Sequence, residues 1–240
     1  DNYRKWIAFY TMVRKDTVRI FRIWAQTFLP NVVTSSLYFL IFGTVLGNRI
    51  GQMQGVDYMS FVVPGLVMLA IVTSAYANSS FTFFQSKFFA RSIDELLVSP
   101  MPPWLIISGF VAGGVIRGVL VGALVMLVSM LFTGLQLSIH SLLIILSFAI
   151  LTAIVFALAG LVNGVYAKSI DAINIVPTFI LTPLTYLGGV FYSVHSLPQA
   201  AQYVTYVNPI FYLINGFLYG FLGITDIPLA TSLLVLFGLI

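Results

Sequence analysis

The chain has 240 residues, 60% of them hydrophobic and only 8% charged, with a formal net charge of +4. Its mean hydropathy of +1.03 excludes a water-soluble fold, since soluble domains carry about a quarter charged residues. The absence of cysteine excludes disulfides, thiolate catalysis and thiolate metal sites. The few charges are segregated and leave long apolar windows, which match the ~20 residues a helix needs to cross about 30 Å of hydrocarbon. Lipid cannot satisfy open backbone groups, so these windows are expected to be helices, and the ten-residue alternation of a β-barrel is not seen. The expected fold class is an all-α polytopic membrane protein.

Residues 3–25 form the first unit, an amphipathic interface helix. Trp6, Tyr10, Val13, Thr17, Phe21 and Trp24 recur at helical spacing along one stripe. Lys5, Lys15, Arg19 and Arg22 lie on the other side, with Arg14 at the border. This pattern predicts a helix lying in the headgroup layer with its cations toward anionic lipid. The apolar core begins only after about twenty-five residues, so no cleavable signal peptide is expected and the first span acts as its own insertion signal. The opening Asp1 suggests that residues precede it.

Membrane spans are expected at 28–46, 59–80, 104–132, 142–166 and 173–189, and a sixth begins at 229. Residues 229–240 are too short to cross, so that helix is expected to continue past Ile240. If the N-terminus is cytoplasmic, the inner segments hold Arg4, Lys5, Arg14, Lys15, Arg19, Arg22, Lys87, Arg91 and Lys168. The outer segments then hold only Arg49, and this asymmetry places the N-terminus inside. Both termini of a six-span chain lie on that side.

The connection at 83–100 mixes Phe84, Phe88, Ile93, Leu96 and Leu97 with Lys87, Arg91, Asp94 and Glu95. A short amphipathic helix ended by Pro100 is expected there, with apolar residues exposed as a docking surface for another protein. The alternative is a helix resting on the membrane. Residues 190–223 carry no Lys or Arg, are rich in Tyr and Phe, and are interrupted by Asn208-Pro209 and Gly216. Non-helical backbone at membrane depth is tolerated only against protein or a water-filled cavity, so a helical hairpin dipping into the outer leaflet is expected. A seventh crossing at 210–223 is the alternative, and it would invert the C-terminus.

Several chemistries lack their parts. No Gly-Lys pair occurs, so the phosphate-cradling P-loop is missing and the chain is no ATPase by itself. His140 and His195 lie in separate outer loops and build no metal or protease motif. No acidic relay is read inside the spans, as ion coupling would require. Arg117 is the one charge read within a span, either pairing inside the bundle or meeting an anionic substrate or lipid. Glycines at 109, 113, 114, 118 and 122, and again at 160 and 164, form small-residue stripes that predict close helix packing, within one bundle in preference to a dimer seam.

Three ordered stretches carry a resemblance: "RSIDELLVSPMPPWLIISG" from 91, "LTPLTYLGGVFYSVHSLP" from 181 and "NPIFYLINGFLYGFLG" from 208. With the topology above, the chain resembles the permease subunits of type-2 ABC exporters of the bacterial inner membrane. The resemblance departs in its incomplete sixth helix, and no nucleotide-binding domain is fused. It implies a homodimer of permeases served by two separate ABC ATPase subunits, which bind ATP and Mg, while this chain holds no cofactor or metal and no catalytic residue. It further implies that residues 3–25 are a connecting helix and that Arg91, Ser92, Ile93, Asp94, Glu95 and Leu96 form the coupling helix. Residues 190–223, including Gly188 and Gly189 just ahead and Phe191, Tyr192, Asn208 and Pro209, would cap the exit as an outer lid. The path would run between protomers along spans two and five, with Ser74, Asn78, Thr178, Thr182 and Tyr186 as lining candidates and Arg117 as a further pathway residue. The sparse polar lining favours an amphipathic or lipid-like substrate in contact with membrane lipids, and no nucleic acid is expected. The rival functions are a passive channel or lipid scramblase and a membrane scaffold, neither of which needs an ATPase.

Overall fold

The computed structural model describes residues 2–240. Ten helices carry the chain. Helix α1 spans Asn2–Arg22, and α2 follows as Trp24–Ile50, with its turns Phe39–Leu46 widened to π-helical pitch. A hairpin of β1 (Gln52–Met53) and β2 (Val56–Asp57) leads to α3 (Tyr58–Phe88) and the short α4 (Ser92–Val98). Then come α5 (Pro103–Thr133), α6 (Ile139–Tyr166) and α7 (Ile170–Tyr186). Helices α8 (Gln199–Val207), α9 (Pro209–Leu222) and α10 (Leu229–Leu239) complete it. Four of these, α2, α3, α5 and α6, are long and apolar enough to cross a membrane, and α7, α9 and α10 are shorter apolar helices.

Helix α3 is the axis of the bundle. It is covered by α5 and α6 along its length and by α2 and α9 at its outer half, and its side chains from Phe61 to Ser80 are mostly buried. The glycine stripes make this possible. A Cβ on Gly118 would stand 2.9 Å from the Ala75 methyl, and one on Gly114 would strike the Ser79 hydroxyl. On the other flank, a Cβ on Gly164 would lie 2.7 Å from the Ser80 carbonyl oxygen, and one on Gly160 would run into the Tyr76 carbonyl. In lipid no hydrophobic drive separates helix from solvent, so close backbone approach supplies the cohesion. The stripes therefore serve packing within this bundle, as expected.

The helices run past the boundaries read from hydropathy. Phe83–Phe88 continue α3 and are not part of the coupling element, because Phe83 packs edge-on against Phe110 at 5.2 Å and Phe84 is buried with Ala167 and Ile173. The separate short helix in the segment expected to couple is only Ser92–Val98. At 31 residues each, α3 and α5 measure about 46 Å at 1.5 Å per residue. That exceeds the roughly 30 Å of a hydrocarbon core.

The outer end is built from hairpins. Helix α9 lies against α6 with Gly216 at Phe148 and Gly220 at Ile145, a register antiparallel to α6, so α9 climbs toward the outer side. The 14 residues of α9 fall short of the ~17 a spanning helix needs. Asn208 makes the bend: its Oδ1 accepts from the Ile210 amide at 3.0 Å, and its Nδ2 donates to the Leu184 carbonyl at 2.6 Å. Asn215, fully buried, ties the following turn to α9. Its Oδ1 accepts from the Asp226 amide at 2.8 Å, and its Nδ2 donates to the Ile227 carbonyl and Ser232 Oγ, both at 3.1 Å. Asn215→Ala orphans these buried groups at about 1–3 kcal/mol. Hydrogen exchange at Asp226 and Ile227 is expected to rise while that of α3 is unchanged.

Candidate functional site

The corner between α3 and α5 is exposed over most of its length. Arg91 adopts φ +48°, a left-handed conformation unusual for a residue with a Cβ, and turns the chain into α4. Asp94 and Glu95 occupy the first turn of α4, where the helix dipole favours acids. One face of α4 is anchored: Ile93 is buried with Ile106 and Phe110 of α5 and Leu161 of α6. The other face is open, with Leu97 and Val98 at 65% and 86% exposure and Phe89 beside them at 67%. The expected coupling residues thus separate into an anchor (Ile93, with Leu96 half-buried) and a free face (Arg91, Asp94, Glu95).

Helix α1 docks on this end by a face that sequence reading did not single out. Met12 and Asp16 sit over Gly109 and Gly113 of α5, and Ile20 is buried. Asp16 pairs with Arg19 at 2.6 Å and accepts from Asn78 Nδ2 at 3.0 Å. Arg19 in turn donates to Asn78 Oδ1 at 3.0 Å and Thr82 Oγ1 at 2.8 Å. This closed polar ring joins α1 to α3 and sits on α5. The aromatic stripe of Trp6, Tyr10, Phe21 and Trp24 stays uncovered by the protein, as a lipid-facing stripe should. Arg19, grouped by sequence with the lipid-facing cations, instead turns inward.

Asn78 and Gly113 each lie ten residues from the basic ends of α3 and α5, about 15 Å along each helix. Arg117 stands one turn deeper on the same face as Gly113, with its Nε buried and without a partner among the described residues. Arg117 lies at the middle of the 31-residue α5, within the span where the sequence placed it.

The expected lining residues do not come together. Ser74 and Asn78 are 5% and 1% exposed, enclosed between α3 and its neighbours. Thr178, Thr182 and Tyr186 share an open face of α7 at i, i+4 spacing, continued by Phe179 and Ile180 at 73% and 53% exposure. The span-two candidates are thus enclosed within the bundle, whereas those on α7 lie on its open surface.

At the outer end the expected lid residues form one assembly. Tyr58 Oη donates to the Phe191 carbonyl at 3.0 Å, and the Phe191 ring stacks on Phe42 at 4.7 Å. Val190 packs into the space left by Gly65, and Gly189 supplies φ +92° for the turn. Gln54, at the tip of the β-hairpin, donates to Ser193 Oγ at 2.7 Å and Asp226 Oδ1 at 2.9 Å, and His195 approaches Asp226 at 3.3 Å. Sequence reading missed Gln54, Asn215 and the partners of Asp16. Only Asp16 left a signal, as the single acid on a basic helix.

A bundle of long apolar helices with an amphipathic helix at its N-terminal end is the architecture of a multi-pass membrane protein. Residues 7–222 match the ABC-2 type transporter family, and the chain belongs to that family, as a membrane-spanning permease subunit of an ABC transporter. It is 52% identical over 231 residues to the Inner membrane transport permease YadH of Escherichia coli strain K12, covering 96% of this chain and 89% of the relative. It is 24% identical over 218 residues to Nodulation protein J of Rhizobium meliloti strain 1021, covering 88% and 78%.

Proposed function

We propose that the chain is the membrane half of an ATP-driven exporter in the bacterial inner membrane, with its N-terminus in the cytoplasm. It works as a homodimer with two ABC ATPase subunits that bind ATP and Mg, and it carries an amphipathic, lipid-like cargo through a six-span bundle. The observation that carries this reading is the α4 corner, with an anchored face and a free one. Closure of the ATPase pair presses on α4, and Ile93 passes the push to Phe110 of α5 and Leu161 of α6. The glycine-packed unit of α3, α5 and α6 then moves as one body. The outer assembly, tied to α3 through Tyr58 and Gly65, moves with it and releases the exit. Cargo passes along the open face of α7, past Thr178, Thr182 and Tyr186. The name of the E. coli relative supports the inner-membrane placement.

The test is reconstitution with the cognate ATPase. Asp94→Ala together with Glu95→Ala is expected to cut stimulated ATP hydrolysis by about fivefold, as the loss of about 1 kcal/mol of coupling predicts. Unchanged stimulation would overturn the role of α4. Cargo movement by the permease alone would favour a passive channel or scramblase.

A further inference from the structure

A cleft of about 910 Å³ lies between α1, the basic end of α3, the start of α5 and the coupling helix α4. Its walls hold four cations, Arg14, Lys15, Arg19 and Arg22, and two acids, Asp16 and Glu95. Asp16 is consumed by Arg19, and no other ion pair involves these groups among the described residues. Three unpaired cations therefore face a single carboxylate. Arg19 adds a buried Nε with no hydrogen-bond partner. Unpaired guanidinium groups facing one cleft match the geometry of a phosphate, which Arg binds in a bidentate fork.

The depth of the cleft narrows the ligand. Its floor includes Gly109 and Phe110 at the basic end of α5, and its outer wall is the amphipathic α1, a kind of helix that settles in the headgroup layer. The uncovered Trp6, Tyr10 and Trp24 hold α1 at this level, where amphipathic rings settle. Met12, Val18 and Leu96 give the same cleft an apolar wall, suited to the glycerol end of an acyl chain.

We propose that this cleft binds the phosphate headgroup of an anionic phospholipid, wedged between the interface helix and α4. The bound lipid braces α4 against α1 along the flank that carries Ser92, Glu95 and Leu96, so that lipid charge sets how firmly the coupling corner is held. The lipid site itself stands without the export reading, whereas its effect on coupling rests on that reading.

The chain provides its own reporter, since all three tryptophans, Trp6, Trp24 and Trp104, lie on the helices around the cleft or at their ends. The purified full-length protein in a non-ionic detergent is titrated with dioctanoyl phosphatidylglycerol, dioctanoyl phosphatidylcholine and inorganic phosphate while tryptophan fluorescence is followed. Phosphatidylglycerol is expected to give a saturable change, and phosphatidylcholine and phosphate none over the same range. With about 1 kcal/mol per cation at a lipid surface, Arg14→Gln with Arg22→Gln raises the half-saturation point by about tenfold or more. Arg14→Lys with Arg22→Lys keeps the charge and stays within about threefold, and matching helicity and gel-filtration profiles show that both variants fold. Equal response to phosphatidylcholine, or an unshifted Gln variant, would overturn the proposal. Phosphate saturating at the same concentration would reassign the cleft to a free anion. Loss of ATPase binding in the Gln variant with an unshifted lipid titration would make it a partner's seat.

Discussion

Asp16→Ala is expected to destabilise the protein by about 3 kcal/mol, the lower end of what removing one member of a buried ion pair costs. The lower end applies because the Arg19 side chain keeps 29% of its surface exposed and water takes up part of its charge. The substitution does more than delete a contact. It leaves Arg19 as an uncompensated cation, and it removes the acceptor of Asn78 Nδ2 inside the bundle. Thermal unfolding in detergent reads the loss. A double-mutant cycle with Arg19→Gln separates the pair from the seat of α1. If the double variant is milder than Asp16→Ala alone, the orphaned charge dominates. If Asp16→Ala leaves the unfolding temperature unmoved, the ring does not hold α1.

Gly160→Val is expected to be the most damaging single substitution in the core. A Cβ there meets the carbonyl of Tyr76, which is backbone and cannot swing aside, so α3 and α6 must separate along their length. Overpacking a tight core costs about 1–3 kcal/mol and occasionally more, and separation also forfeits the neighbouring contacts at Gly164. Gly238, in α10, is the control, since nothing lies within 4 Å of its added Cβ. Gly238→Ala is expected to be neutral or to gain up to about 1 kcal/mol of helix propensity. Yield of folded protein by fluorescence-detected gel filtration ranks the two, and equal behaviour would refute the close approach of α6 to α3.

Much of the candidate site was legible as pattern. The amphipathic order of residues 3–25, the mixed run at 91–98 and the glycine-broken outer stretch each carry their signal within a few turns of chain. The partners of those elements were not legible. Asp16 and Asn78 lie 62 positions apart, and Gln54 and Asp226 lie 172 apart; no periodicity links such distant residues. The expected segment 83–100 is divided between two helices, because Phe83–Phe88 are apolar enough for either element and only their packing on Phe110 and Ile173 assigns them to α3.

Sequence alone determined that the chain lives in lipid as helices, which way its charges point and which family its motifs resemble, because hydropathy and charge count are local sums. Tertiary structure alone decided which helix is central. Helices α2 and α3 have similar window hydropathies of 1.6 and 1.9, yet 11% of one window and 78% of the other is buried inside the protein. The physical reason is that lipid tails and leucine side chains are equally apolar. A span facing lipid and a span facing protein therefore read alike until the glycines, the Asp16 ring and the outer hairpins are seen closing around α3.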